Sequence, residues 1–276
     1  MRTTRATRRE RAELPQSRRV AILVGMPTAL ITGATAGIGH AFARHYAGQG
    51  HDLVLVSRDR ARLQETSGRL TADHRVPVEI LPADLSTRQG TDQVAQRLAD
   101  PGHAVDVLVN NAGFGLNKPF AKSTLDEEQR LLDVLVVAVM RLTHTTLLAM
   151  LERGHGDIIN VSSTAGFTSR GSYSAHKAWV TSFTRALSFR YRADGIRIMA
   201  LCPGFVHTEF HQRMGASMER MPDWMWLDAD QVVAAAARDI ARGKAVSIPT
   251  RRYQAIAGLA RLGPSSLVAR AAEFGR

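Results

Sequence analysis

The chain has almost no cysteine and no long uninterrupted apolar run. Its one cysteine, Cys202, excludes an internal disulfide framework and fits a reducing compartment, so we expect a cytoplasmic protein. Because Cys202 lies between an apolar run and Pro203, we interpret it as a small packing residue. The most apolar stretch, residues 131–151, favours a buried helix over a membrane span because polar residues interrupt it, namely Asp133, Arg141 and His144. We therefore expect no stable insertion into a membrane.

The chain also lacks the dense positive charge typical of a nucleic-acid-binding protein. Its net charge is +11, but seven arginines against two glutamates give residues 1–25 a charge of +5, which leaves +6 for the rest. That balance suits acidic ligands such as a phosphorylated cofactor, and we do not expect nucleic acid as a partner. Residues 1–25 have too short an apolar run for a signal peptide, and Ser17-Arg18-Arg19 resembles a twin-arginine signal only faintly. We interpret them as a disordered basic extension or as a start site placed too early.

The length fits one large α/β domain, which we place at residues 26–276. Strand-like and helix-like segments alternate, which predicts a parallel sheet with helices on both faces. The predicted strands are 28–32, 52–57, 77–81, 105–109, 157–161, 197–201 and 245–248. The predicted helices are 37–48, one ending near 72, 91–99, 124–151 and 173–194. Residues 205–227 predict a substrate loop, and residues 250–276 a C-terminal segment of two packing helices, with an amphipathic lid or a membrane-surface contact as alternatives.

A glycine-rich turn follows the first predicted strand and opens the first predicted helix. It reads Thr32-Gly33-Ala34-Thr35-Ala36-Gly37-Ile38-Gly39. Glycines let the backbone turn sharply and approach a pyrophosphate, while the N–H groups at the helix N-terminus face the anion. The spacing is Gly-x-x-x-Gly-x-Gly, and its place between strand and helix predicts a dinucleotide site.

The second predicted strand ends in Ser57-Arg58. An acidic residue near this point holds the ribose 2′-hydroxyl in sites that prefer NAD. Ser57 leaves the position uncharged, and Arg58 can pair with a 2′-phosphate, with a solvated surface arginine as the alternative. We therefore predict NADP(H) as the preferred cofactor, with NAD(H) also possible.

Tyr173 and Lys177 lie four residues apart on a predicted helix, so both side chains lie on one face. A neighbouring ammonium stabilises the phenolate, and we expect it to bring the tyrosine pKa, ordinarily about 10, closer to neutrality. The phenol can then protonate the alkoxide that forms when a carbonyl accepts hydride, while Ser163 donates a hydrogen bond to that oxygen. We predict Ser163, Tyr173 and Lys177 as catalytic residues and no metal site.

In this order the motifs resemble the short-chain dehydrogenase/reductase family, in its single-domain branch, over residues 28–210. The matching residues are the glycine turn, Asp84, Asn110-Asn111-Ala112-Gly113, Ser163, Tyr173 with Lys177, and Pro203-Gly204 followed by Thr208. The resemblance implies a Rossmann-like, doubly wound parallel sheet of about seven strands. It also implies a small-molecule carbonyl or alcohol substrate and a homodimer or homotetramer formed through the helices that contain Leu135 and Tyr173.

The same resemblance implies how the cofactor is held. Asp84 and Leu85 border the adenine, residues 111–113 support the cofactor and the central sheet, and Lys177 also holds the nicotinamide ribose. Val206 and Thr208 contact the carboxamide. The predicted cofactor-binding residues are Gly33, Thr35, Gly37, Ile38, Gly39, Arg58, Asp84, Leu85, Asn111, Ala112, Gly113, Tyr173, Lys177, Pro203, Gly204, Val206 and Thr208.

The chain departs from the family pattern at two places. The family carries an asparagine where this chain has Leu135, so the side chain that kinks the long helix and holds a relay water is missing. We predict a modified proton relay, in which Leu135→Asn raises turnover. Ser163 and Tyr173 lie ten residues apart, closer than is usual in the family, so the loop 164–172 is short and Ser162 is the alternative serine.

The predicted substrate loop is rich in large, adaptable apolar side chains, namely Met214, Met218, Met221, Trp224, Met225 and Trp226. They suit a lipophilic carbonyl compound, with packing against a subunit or the C-terminal segment as the alternative. We assign no chemistry to His176 and His207.

Our leading hypothesis is a reductase or alcohol dehydrogenase that prefers NADP(H). The alternatives are a catalytically impaired dinucleotide-binding sensor or scaffold, and an epimerase or dehydratase, which the glycine spacing and length disfavour.

Overall fold

The computed structural model describes residues 26–168, 170–214 and 221–262. Within them, seven strands form one parallel sheet in the order β3-β2-β1-β4-β5-β6-β7. The strands are β1 (Thr28–Thr32), β2 (Asp52–Ser57), β3 (Val78–Pro82), β4 (Val107–Asn110), β5 (Gly156–Val161), β6 (Ile196–Leu201) and β7 (Val246–Ser247). The predicted doubly wound α/β fold is therefore confirmed. The predicted extension 1–25 and the end of the C-terminal segment, from residue 263, lie outside the described residues.

The helices alternate with the strands as predicted. They are α1 (Gly37–Gly48), α2 (Arg60–His74), α3 (Arg88–Leu98), α4 (Leu125–Leu132), α5 (Ala138–Arg153), α6 (Ser172–Tyr191), α7 (Glu209–Arg213), α8 (Ala229–Ala241) and α9 (Arg251–Leu262). Helix α7 lies inside the predicted substrate loop, where we expected irregular backbone. Of the two helices expected in the C-terminal segment, α9 is one, and the other falls outside the described residues.

The sheet has a hydrophobic core on each face. Ala29 and Ile31 of β1 lie in the core that includes α1 and α8, whereas Leu30 between them lies in the core that includes α3 and α5. All three side chains are fully buried. A strand that is apolar on both faces is typical of a parallel sheet covered by helices, so functional groups are displaced to the loops at the strand ends.

The strand order reverses between β1 and β4, which opens a crevice at the carboxyl ends of these two strands. The hydroxyl of Thr32, at the end of β1, accepts hydrogen bonds from the backbone N–H groups of Asn111 (2.9 Å) and Ala112 (3.0 Å). It also donates to the carbonyl oxygen of Val109 (3.3 Å). One threonine thus joins the two strand ends that border the crevice.

Helices α4 and α5 are continuous through one π-helical turn, Asp133–Val137. The N–H of Ala138 donates to the carbonyl oxygen of Asp133, five residues earlier, and Leu135 within the turn is fully buried. By length and composition the whole helix Leu125–Arg153 could cross a membrane, but more than half of its most apolar window is buried inside the protein. The predicted long, largely buried helix is present.

A buried polar network connects β4 and β5 to the helices over them. The Asn110 amide donates to the side chains of Asn160 (2.9 Å) and Thr143 (3.1 Å), and the Asn160 amide donates to Thr184 (3.1 Å). The four side chains are at most 3% exposed. Because each bond is made in a dry environment, the network fixes β4, β5, α5 and α6 relative to one another.

Candidate active site at the carboxyl edge of the sheet

The glycine turn leaves bare backbone at the crevice. Gly33 and Gly37 have φ values of +67° and +55°, a conformation that favours glycine. A Cβ atom on Gly39 would lie 2.2 Å from the carbonyl oxygen of Gly33, so this close approach also requires glycine. Helix α1 begins at Gly37 with no side-chain cap on its first N–H groups. Bare N–H groups at a helix N-terminus suit a pyrophosphate, so these residues fit the dinucleotide that the sequence predicts.

Asn111 holds this turn from β4. Its side-chain amide donates to the carbonyl oxygens of Thr32 (2.9 Å) and Gly33 (3.2 Å). Asn111 thus supports the end of β1 and the glycine turn by direct hydrogen bonds. A Cβ atom on Gly33 would lie 2.9 Å from the same amide nitrogen, which is a second reason for glycine there.

The opposite end of the crevice lies beyond β2. The hydroxyl of Thr35 lies 3.4 Å from that of Ser57, and Arg58 is exposed. Burial by itself would raise the pKa of Asp84. Hydrogen bonds from Ser86 and the charges of Arg58 and Arg130 outweigh that effect and lower the pKa below its usual value. The Leu85 side chain is buried in the core that includes α3 and α5.

The structure brings the three predicted catalytic side chains together. Ser163 lies just beyond β5, and its hydroxyl is near enough to the phenol of Tyr173 on α6 to lower the pKa of that phenol. The alternative serine, Ser162, is buried and faces away. Its hydroxyl donates to the carbonyl oxygen of Lys177 (2.7 Å) and lies 2.8 Å from the Thr181 hydroxyl. Despite the short loop 164–172, Ser163 is therefore the serine that reaches Tyr173.

Lys177 is 5% exposed and lies one helical turn beyond Tyr173. Its Nζ donates to the carbonyl oxygen of Val161 at 2.8 Å and lies 5.8 Å from the centre of the Tyr173 ring. Burial lowers the pKa of Lys177 to about 8. The lysine is thus anchored beneath the tyrosine by the end of β5.

The pKa of Tyr173 runs opposite to our expectation. Burial raises it to about 12, and the hydrogen bond with Ser163 offsets only part of this effect. The sequence places Lys177 on the same helical face, but its ammonium is held on Val161 instead of on the phenolic oxygen. The phenol is therefore kept protonated, which suits a proton donor.

Pro203-Gly204 lies between the loop that begins at Ser163 and the helix α9. The Pro203 carbonyl oxygen accepts from the backbone N–H of Thr164 (2.9 Å), and a Cβ atom on Gly204 would lie 1.9 Å from the Tyr253 ring. The Tyr253 hydroxyl donates to the carbonyl oxygen of Met225 (2.7 Å) and accepts from the N–H of Phe205 (3.0 Å). Helix α9 thereby fixes the base of the predicted substrate loop.

The two arms of that loop meet at an isolated parallel bridge between Val206 and Leu227. Val206 is 4% exposed, so its backbone, and not its side chain, is left to contact a carboxamide. His207 stacks on Trp226 with the ring centres 4.6 Å apart. This contact gives His207 a packing role.

Apolar side chains lie on the substrate side of the crevice. Phe210 of α7 packs against the Tyr173 ring with the ring centres 6.0 Å apart, and Phe114 and Leu116 pack, like Tyr173, against the cluster that contains Leu135. A Cβ atom on Gly115 would lie 2.3 Å from the sulfur of Met214, so the loop after β4 lies against the end of α7. Met218, which we predicted for this surface, lies outside the described residues.

Sequence reasoning missed four residues of this region. Arg62 of α2 forms an ion pair with Glu209 across the crevice, Phe210 covers Tyr173, and Tyr253 fixes the loop base. A local signal exists for Glu209 and Phe210, because they follow Thr208 directly. Arg62 and Tyr253 act through partners far away in the sequence, and no local pattern indicates them.

Comparison with known proteins identifies the family of this chain. Residues 27–219 match the family model described as short chain dehydrogenase. The very-long-chain 3-oxoacyl-CoA reductase of Anas platyrhynchos is 32% identical over 203 residues, which cover 70% of this chain and 64% of that protein. The chain thus spans less than two thirds of that relative.

Two solved structures share the fold and part of the sequence. The short-chain dehydrogenase from Sphingobium yanoikuyae, solved in complex with NADPH, is 33% identical with a TM-score of 0.79, over 84% of this chain and 93% of that one. The bulky-bulky ketone specific alcohol dehydrogenase from Comamonas testosteroni is 29% identical with a TM-score of 0.75, over 89% and 96%. The chain belongs to the short-chain dehydrogenase/reductase family of oxidoreductases.

Proposed function

We propose that the protein is an NADP(H)-dependent oxidoreductase that interconverts a bulky, lipophilic ketone and its alcohol, with Tyr173 as the general acid/base. The observation that carries this proposal is that the Ser163 hydroxyl, the Tyr173 phenol and the buried Lys177 ammonium come together at the end of a crevice that begins at the glycine turn. A hydroxyl pair and a buried amine at this edge of the sheet supply the groups that carbonyl reduction needs.

A bound nicotinamide supplies the hydride when the ketone is reduced. The Ser163 hydroxyl donates a hydrogen bond to the carbonyl oxygen and polarises it. Tyr173 donates its phenolic proton to the same oxygen as negative charge develops there, and burial keeps that proton in place beforehand. The Lys177 ammonium lies near the ring and stabilises the phenolate that remains. In the reverse direction the phenolate accepts the proton of the alcohol.

The preference for NADP(H) rests on the end of β2. Arg58 is exposed there and close enough to Asp84 to lower its pKa, and Ser57 adds no negative charge that would repel a 2′-phosphate. The Sphingobium yanoikuyae structure contains NADPH. We expect Arg58→Ala to lower kcat/KM for NADPH about 10- to 100-fold, since a charge-assisted phosphate contact contributes about 1.5–3 kcal/mol. The kcat/KM for NADH, which lacks the 2′-phosphate, should change less than about twofold. Arg60→Ala, an exposed arginine two residues further on, is the matched control.

The substrate class rests on the apolar surroundings of Tyr173. Phe210 packs against the Tyr173 ring, and Phe114 and Leu116 pack against the same apolar cluster as Tyr173. The Comamonas testosteroni neighbour is named for ketones with two bulky substituents. We therefore expect diaryl ketones and aryl ketones with long alkyl chains to be reduced with higher kcat/KM than acetone or acetaldehyde.

The decisive experiment measures NADPH oxidation with this ketone panel, for the wild type and for Tyr173→Phe. We expect turnover of the bulky ketones by the wild type and a loss of at least about 100-fold in Tyr173→Phe, with NADPH affinity unchanged. NADPH binding by the wild type without turnover of any ketone would instead indicate a dinucleotide-binding protein that has lost its chemistry. Equal rates in the wild type and Tyr173→Phe would exclude Tyr173 as the acid.

We also propose that the protein assembles through α5 and α6, as the family resemblance implies. Met140 and Leu148 of α5 and Phe189 of α6 are 42%, 52% and 68% exposed, which is unusual for large apolar side chains. Light scattering should give a mass of two or four chains for the wild type, and Leu148→Glu combined with Phe189→Glu should give a smaller assembly. A monomeric wild type would contradict the proposal.

A further inference from the structure

Arg62 and Glu209 form a two-point ion pair across the mouth of the crevice. Nη2 of Arg62 lies 2.8 Å from Oε1 of Glu209, and Nη1 lies 3.1 Å from Oε2. Nη2 also donates to the carbonyl oxygen of Thr35 in the glycine turn at 3.4 Å. Arg62 belongs to α2, which follows β2, whereas Glu209 begins α7, beyond β6. The pair, here named the clasp, therefore joins segments from opposite halves of the sheet.

The two residues that flank Glu209 contact the glycine turn and the proposed acid. A Cβ atom on Gly37 would lie 2.8 Å from Cγ2 of Thr208, so Thr208 sits directly over the glycine turn. Phe210, on the other side of Glu209, lies on the ring of Tyr173. Holding Glu209 in place therefore holds one side chain over the turn and the next over the proposed acid.

We infer that the clasp is a positioning device that closes residues 208–214 over the bound dinucleotide and slows its release. This inference rests on the proposed use of NADP(H). A dinucleotide in a fold of this type lies across the crevice at the carboxyl ends of the strands, so the glycine turn and the segment around Thr208 would both border it. Movement of that segment away from the turn would open the crevice for release.

The exposure of the clasp suits a contact that opens and closes. The Arg62 and Glu209 side chains are 36% and 44% exposed. Water can therefore solvate both charges when they separate, and opening leaves no buried unpaired charge. A fully buried pair would hold the segment shut.

The test compares Arg62→Gln, Glu209→Gln and the charge exchange Arg62→Glu/Glu209→Arg with the wild type in stopped-flow measurements of NADPH binding and release. We expect each single variant to release NADPH about five- to tenfold faster with little change in the association rate, since changes at one interface act mainly through dissociation. In the charge exchange, the rate of NADPH release should return at least halfway from the single-variant rate to the wild-type rate on a logarithmic scale. Arg69→Gln, which breaks the exposed pair with Glu65 on the same helix, is the matched control and should not change release.

Two further readouts separate a clasp from general stabilisation. Added salt should reduce the difference between the wild type and the single variants, because it screens a partly exposed pair. Hydrogen–deuterium exchange of residues 208–214, measured without cofactor, should be faster in both single variants at an unchanged Tm.

A rate of NADPH release within twofold of the wild type in both single variants would overturn the clasp. A charge exchange that releases NADPH as fast as the single variants would also overturn it. A wild type that does not bind NADPH would overturn the proposed function itself, whereas normal NADPH turnover with unchanged variants would overturn the clasp alone.

Discussion

Leu135 lies against Gly113, where a Cβ atom would come within 3.0 Å of the leucine Cδ2 and 4.0 Å of Lys177 Nζ. The family resemblance implies an asparagine at this position, and with leucine there the helix forms a π-helical turn. The irregular backbone therefore does not depend on an amide side chain. Leu131 and Val134 pack with Leu135 in one small cluster.

We expect Leu135→Asn to raise kcat severalfold and to lower the free energy of unfolding by about 2–4 kcal/mol. The amide restores a polar group beside the Lys177 end of the site, but it replaces a fully buried apolar side chain. Steady-state kinetics and urea unfolding measure the two effects. Leu135→Ala is the control, since it opens space without adding an amide. If it raises kcat equally, the amide is not responsible, and an unchanged or lower kcat in Leu135→Asn contradicts the prediction.

The rate of ketone reduction should be level up to about pH 8 and fall above it. Burial lowers the pKa of Lys177 to about 8, so the ammonium that stabilises the phenolate is lost as the pH rises through that value. Tyr173, whose pKa is raised to about 12, stays protonated over this range, so it causes no second change in the rate with pH. The profile of kcat against pH measures this effect. Lys177→Arg keeps its charge at high pH, so the fall in rate should be absent in that variant even if its rate is lower. A fall at the same pH in Lys177→Arg would show that another group causes it.

Gly204→Ala should destabilise the protein by about 3 kcal/mol or more and weaken substrate turnover. The added Cβ would lie 1.9 Å from the Tyr253 ring, which is held by its two hydrogen bonds at the base of the substrate loop. Thermal unfolding and KM for the ketone measure the loss. Gly258→Ala on α9 is the control, because its Cβ would meet nothing within 4 Å, and alanine in a helix should stabilise by about 0.5–1 kcal/mol. Tyr253→Ala should partly rescue Gly204→Ala, and a lack of rescue would place the strain elsewhere.

Asn160→Leu should lower the free energy of unfolding by about 3–5 kcal/mol, because it leaves the side chains of Asn110, Thr143 and Thr184 without their buried partner. Urea unfolding monitored by circular dichroism measures the change. Ile159→Leu, next to it on the same strand and equally buried, is the control and should cost less than about 1.5 kcal/mol. A loss in Asn160→Leu no larger than in the control would show that the network does not stabilise the fold.

Much of the fold could be predicted because its signals are local. The strands at Thr28–Thr32 and Asp52–Ser57 are short apolar runs bounded by turns, and their predicted bounds agree with the structure at every residue. The glycine turn and the spacing of Tyr173 and Lys177 are equally local. The pKa of Tyr173 was not predictable, because it depends on what buries the ring, and that includes Phe210 from a distant loop.

The remaining features depend on contacts between distant parts of the chain. Arg62 and Glu209 are separated by 147 residues, and Phe205 and Tyr253 by 48. A charged or aromatic side chain has many possible partners at such separations, and only the folded sheet selects one. Ser163 was predicted as the catalytic serine with Ser162 as the alternative, and it took the hydrogen bonds of Ser162 to Lys177 and Thr181 to separate them.

The position of β1 in the sheet has a consequence for synthesis on the ribosome. Strand β1 pairs with β2 on one side and with β4 on the other, where Ala29 meets Val107. Until residues near 107 leave the exit tunnel, one edge of β1 has unsatisfied backbone groups and apolar side chains open to other nascent chains. We expect ribosome-bound chains that end before β4 to bind chaperones strongly, and chains that expose β4 to bind them less.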